Sequence, residues 1–228
     1  MDKMVAGHSV AAWKKSGIGA LVGAIVGAGT VAGLMHVAGT DFIDAMGGSR
    51  VALAGVAILY LLMAAFVGFG LAAPRTGARL LNVADADELR EERAGMGRSV
   101  IVMGAIGAAL LALALARTPS FPTGPVPAQA AAAVLALVIT GGVAASWAWR
   151  RQYDELNRQL GIEGGYWAFG LSWIGLTLWG AADFLGLGPA LTAIDVVTTL
   201  AAMMLVGAFV AQIREGRPSS PKPDALRA

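Results

Sequence analysis

The sequence predicts an all-α integral membrane protein: six transmembrane helices with short loops, N-in and C-in. Two observations carry this fold class. Six apolar stretches, at roughly 16 to 38, 51 to 73, 99 to 116, 128 to 149, 165 to 185 and 189 to 213, have about the length a helix needs to cross a bilayer. The intervening loops carry their basic residues on alternate sides: of the 17 Lys and Arg, all but Arg50 and Arg117 fall on the side that holds both termini. Cytoplasmic loops carry such an excess of Lys and Arg, so that side is assigned inward.

Composition agrees. Hydrophobic residues make up 57% of the 228 and charged residues 14%, too few charges to cover a water-soluble bundle of this size. Six helices occupy nearly the whole chain. The expected organisation is a cytoplasmic N-terminal segment over 1–15, a membrane domain over 16–213 and a disordered cytoplasmic tail over 214–228, where RPSSPKPDALRA shows no apolar period. The basic residues suit anionic lipid headgroups, so the bilayer is the expected partner and nucleic acid is not. With no cysteine, the chain has no disulfide, thiolate metal site or thiol chemistry.

The first span follows Lys14 and Lys15 and is longer than the core of a cleaved signal peptide, so it reads as a retained signal anchor. Gly19, Gly23 and Gly27 recur every four residues along it, each followed by alanine, and Gly29 and Gly33 repeat the spacing. This resembles a glycine zipper. In lipid, where no hydrophobic drive pulls helices together, a smooth stripe lets another backbone approach closely. The stripe is a helix-packing face, toward another helix of this chain or a second copy.

The loop GTDFIDAMGGSR leads to the second span, and NVADADELREERAGMGR connects the second to the third. The latter shares an Asp-Glu-Leu run, a following Arg and late glycines with RRQYDELNRQLGIEGG, between the fourth and fifth spans. Asp87 with Arg90, Arg150 with Asp154 and Glu155 with Arg158 have helix-surface spacing. Both loops are expected to form short charged helices at the cytoplasmic surface, either as extensions of the preceding span or as a contact face containing Asp87, Glu88, Arg90, Asp154, Glu155 and Arg158. Between the third and fourth spans, Pro119, Pro122, Pro125 and Pro127 favour an extended connection. Small-residue runs at 130–133 and 141–145 predict tight contacts in the fourth helix. Trp13, Trp147, Trp149 and Trp167 fall near the inner boundary, where indole rings anchor.

Within the spans only Asp183 and Asp195 are acidic, both toward the outer end. Ion-coupled carriers place ionisable groups in the bundle interior, so this pattern disfavours one. His36, Asp41, Asp44, Asp183 and Asp195 form a candidate ion or polar site near the outer surface, although their spacing matches no metal motif. The simpler expectation for Asp195 is an anion at a helix N-terminus, where the dipole favours it. No GxSxG, HExxH or GxxxxGK[ST] run occurs, and neither catalytic residue, cofactor nor metal is expected. The chain reads as a non-enzymatic membrane protein of the bacterial inner-membrane type: an accessory or scaffold subunit acting through helix packing and loop contacts, alone as a homo-oligomer or beside another membrane protein. The alternative is a small-solute transporter or channel.

Overall fold

The computed structural model describes residues 39–73, 93–149 and 155–215. They form α1 (Thr40–Met46), α2 (Gly48–Ala72), α3 (Arg93–Ala114), α4 (Ala128–Trp149), α5 (Glu155–Phe184) and α6 (Ala193–Glu215). The five long helices coincide with the second to sixth apolar stretches. The first stretch, with Gly19, Gly23, Gly27, Gly29 and Gly33, lies outside the described residues.

Four of the helices, α2, α3, α4 and α6, are long and apolar enough to cross a membrane. The protein is therefore a helical, multi-pass membrane chain. In α5, which is 30 residues long, glycines, aromatic residues and a charged first half dilute the apolar run. That charged half differs from expectation. Glu155, Arg158 and Glu163 belong to one helix with the following span. No proline interrupts 155–184, and ion pairing between Arg158 and Glu155 supports the solvated turns.

Packing orders the helices in a row: α4 lies on α3, α3 on α2, α2 on α6, and α6 on α5. Two of these contacts depend on the missing side chain of a glycine. A Cβ at Gly107 of α3 would sit 2.8 Å from Leu61 Cγ and 3.0 Å from Ala57 O of α2. A Cβ at Gly207 of α6 would run into Gly164 O of α5 and lie 2.8 Å from Ala168 N. Both pairs thus meet at backbone distance, which lets dispersion contacts accumulate in lipid. Between α2 and α6, the Tyr60 hydroxyl donates to Ala201 O at 3.0 Å. A phenol buried among apolar neighbours needs such an acceptor.

The outer members of the row are less enclosed. In α4, Ala131 is buried, but Gly141 and Gly142 have no described neighbour within 4 Å of where a Cβ would be. Leu137, Ile139 and Val143 are exposed there, as are Phe169, Trp173 and Leu178 on α5. Tight contacts among the described residues therefore belong to α2, α3, α5 and α6 rather than to the glycines of α4.

Gly207→Ala is expected to lower stability in detergent by about 1 to 3 kcal/mol, the cost of forcing atoms into a filled contact. Gly141→Ala should leave it unchanged. Thermal unfolding of both variants checks this; equal midpoints would show that α5 and α6 do not meet through Gly207.

Candidate functional site

The densest polar constellation lies where α2 begins. Arg50, in the first turn of α2, sends Nη1 to Ala114 O at 3.1 Å and Ala116 O at 2.9 Å, and Nη2 to Thr118 Oγ1 at 2.6 Å. Ala114 is the last residue of α3 and Ala116 lies just beyond it, at a helix end whose carbonyls have no intrahelical donors and carry partial negative charge. A planar guanidinium presents several N–H groups in one fork and can satisfy such oxygens together. Arg50 therefore caps α3 from the neighbouring helix.

The same cation organises the loop that follows. Its guanidinium carbon lies 5.3 Å from the centre of the Phe121 ring, and that ring meets Phe42 of α1 edge-on at 5.5 Å. Phe121 is 0% exposed. The proline-rich segment is thus compact rather than extended. Arg117 N–H donates to Val126 O at 2.7 Å, Val126 N–H to Leu115 O at 3.2 Å, and Phe121 N–H to Thr118 O at 2.9 Å. Pro119 occupies the second position of the Thr118–Phe121 turn, where a fixed φ helps and an N–H is not needed. Gly124 has no room for a Cβ, which would sit 2.8 Å from Arg117 Cα. The prolines still separate α3 from α4, but burial of Phe121 folds the segment back.

Beside Arg50, Ser49 of α2 lies near the carboxylate of Asp195. Asp195 is 6% exposed in the first turn of α6. Its Oδ2 accepts from Thr192 N at 2.9 Å and from the Thr192 hydroxyl at 2.6 Å, and Thr192 Oγ1 accepts from Asp195 N at 3.4 Å. This reciprocal pair is a capping box with aspartate in the acidic position. Asp183, near the end of α5, accepts from Leu191 N at 2.9 Å and ties the chain's return toward α6.

Four of the five residues of the candidate ion site are described, and their contacts do not gather them into one group. Asp41 and Asp44 are exposed on α1, Asp183 and Asp195 bind backbone, and His36 lies outside the described residues. Among the described residues no three His, Asp or Glu side chains are grouped to hold a metal. Of the cytoplasmic contact candidates, Asp87, Glu88, Arg90 and Asp154 also lie outside. Glu155 and Arg158 form an exposed ion pair at 3.3 Å, which is worth little by itself.

At the opposite end of the helices, arginines cover indoles. Arg98 lies over Trp149 and Arg214 over Trp167, each 5.5 Å from the ring centre, and Arg214 also meets Glu163 at 3.0 Å. Trp167 Nε1 is enclosed and has no hydrogen-bond partner among the described residues.

Sequence reasoning identified Arg50 only as an exception to the charge bias. That exception was the available signal: a cation on the sparsely charged side has a use other than orientation. Tyr60, Phe121, Gly107 and Gly207 have no local motif, because their partners are distant in the chain.

Arg50→Met should destabilise the protein by about 2 to 4 kcal/mol, since it removes charge-assisted bonds and strands two carbonyls. Arg50→Lys should fall between the two, one ammonium being unable to span all three oxygens. Asp195→Asn, which retains an acceptor at the helix start, should cost about 0.3 to 1 kcal/mol with no response to added divalent ions. Denaturant unfolding in micelles measures all three. Wild-type stability in Arg50→Met, or an ion-dependent gain lost only in Asp195→Asn, would contradict the structural roles.

No known protein family, curated protein or solved structure matches this chain, so its function is read from its own residues.

Proposed function

We propose that the chain is a six-span protein of the bacterial inner-membrane type that serves as a non-enzymatic accessory or scaffold subunit. Both termini and the two Asp-Glu-Leu loops face the cytoplasm in this reading. The observation that carries it is the use made of three enclosed or part-enclosed polar side chains. Arg50, Tyr60 and Asp195 each bind the chain's own backbone or its immediate neighbours, holding helix to helix. A transported solute or a reaction would need such groups directed toward a cavity.

The charge distribution supports the orientation. Arg93, Arg98, Arg158 and Arg214 occupy one end of the described helices, and Arg50 and Arg117 the other. Arg50 is committed to capping α3, which leaves Arg117 as the weaker of the opposing signals. The outer members of the row, α4 and α5, offer apolar faces to lipid or to a neighbouring membrane protein, whether a second copy or a different subunit. Beyond the bilayer, Glu155 and Arg158, with Asp87, Glu88, Arg90 and Asp154, supply a charged face for a cytoplasmic contact.

Reporter fusions at Gly47 and Thr123 should read as external, and fusions at Asp85 and Glu163 as cytoplasmic. After gentle detergent extraction the wild type should retain a stoichiometric membrane-protein partner or form a defined oligomer. The double charge reversal of Glu155→Lys with Arg158→Glu should weaken that association without changing the unfolding midpoint. Selective solute flux in liposomes by a chain that isolates alone would instead establish the transporter reading.

A further inference from the structure

The hairpin joining α5 to α6 exposes apolar side chains at the end of the molecule where Arg50 lies. Phe184 is 90% exposed, Leu185 64% and Leu187 80%. Between Asp183 and Thr192 the chain reads FLGLGPAL, with no charged or hydroxyl side chain. The other long connection at this end behaves differently. It buries its one large aromatic, Phe121, and carries Arg117, Thr118, Ser120 and Thr123.

The hairpin's backbone is also satisfied internally to a large extent. Gly186 N–H donates to Asp183 O at 2.9 Å and Leu187 N–H to Ala182 O at 2.8 Å, the paired bonds of a Schellman cap. Gly186 takes φ 69°, the left-handed conformation this cap requires. Leu191 N–H is taken by the Asp183 carboxylate at 2.9 Å, and Pro189 has no N–H to satisfy. Its carbonyl accepts the Trp179 indole N–H at 2.9 Å. In a Schellman cap the second residue beyond the helix commonly folds its apolar side chain back onto the last turn. Here that residue is Leu187, and it points away.

Depth in the bilayer gives the same answer. Arg214 ends the apolar run of α6, and a hydrocarbon core of about 30 Å corresponds to about 20 helical residues at roughly 1.5 Å each. Counting back from Arg214 puts the other edge of the core near Ile194, only a few residues from the hairpin.

We propose that the tip of this hairpin, residues 184–191, lies in the boundary between headgroups and acyl chains, with Phe184, Leu185 and Leu187 in contact with lipid. The inference rests on the multi-pass membrane reading and adds that this connection does not reach bulk water. Its satisfied backbone makes that position affordable, because an unmet polar group costs most where water is scarce.

The absence of native cysteine permits a direct test. Full-length Leu187→Cys, Thr123→Cys and Leu137→Cys proteins, each carrying a nitroxide, are reconstituted in phosphatidylcholine and phosphatidylglycerol vesicles. Collision with oxygen, which partitions into lipid, is compared with collision with a water-soluble nickel chelate. The ratio of oxygen to nickel collisions at position 187 should exceed that at 123 several-fold and fall below that at 137, in mid-α4. Since Leu187 makes little contact with the rest of the chain, its replacement should leave the fold intact, and Leu185→Cys provides an independent reading. Nickel access at 187 equal to that at 123 would overturn the inference, as would protection from both reagents, which would mean a protein cover. Nickel access at 137 would overturn the membrane reading and this inference together.

Discussion

The end of the molecule that holds the start of α2 depends on one guanidinium. Arg50 binds the last carbonyl of α3, the Ala116 carbonyl just beyond it, a hydroxyl of the following loop and the face of a buried phenylalanine. One residue of α2 thus fixes the end of α3 and the loop that leads to α4. The physical reason lies in the helix ends themselves. A helix satisfies its backbone everywhere except in its first and last turns, and near a bilayer there is little water to make good the deficit. Side chains must do so, and here they do it between helices, so that capping and assembly become one interaction.

Away from that end, glycine takes over from hydrogen bonding. Apolar side chains gain nothing by exchanging lipid for one another, so association depends on how closely two backbones can approach. Gly107 against α2 and Gly207 against α5 set those approaches, and Tyr60 adds one directional bond across α2 and α6. α4 and α5, which end the row, retain large apolar faces because neither has a described neighbour on its far side. The polar end fixes alignment and the small residues fix distance.

Much of this organisation was legible in the chain. Length and hydropathy located the long helices, because a run of about 20 apolar residues has few other uses. The capping role of Asp195 could be anticipated from its place at the start of an apolar run. Other features were hidden for specific reasons. The charged residues after Glu155 belong to α5, and nothing local says which flanking span they extend. The proline-rich loop suggested an extended connection because proline constrains its own backbone, whereas the fold of the loop is set by burial of Phe121 under a cation 71 residues earlier in the sequence. Glycines were conspicuous in the first apolar stretch and in α4, yet the described close contacts use Gly107, Gly164 and Gly207, whose significance depends on a partner helix. Asp41, Asp44, Asp183 and Asp195 invite grouping by type; the structure gives the last two separate backbone partners.

The central claim is that Arg50 holds the loop and the end of α3 in place, and hydrogen exchange of single backbone amides tests it most directly. In the wild type the amides of Arg117, Gly124 and Val126, which close the loop, should be protected, as should Gly186 and Leu187 in the α5–α6 hairpin. In Arg50→Met, protection should collapse at Arg117, Gly124 and Val126 and persist at Gly186 and Leu187. Unchanged protection across the loop would contradict the account, because the loop would then be held by its own hydrogen bonds and by Phe121 without the cation.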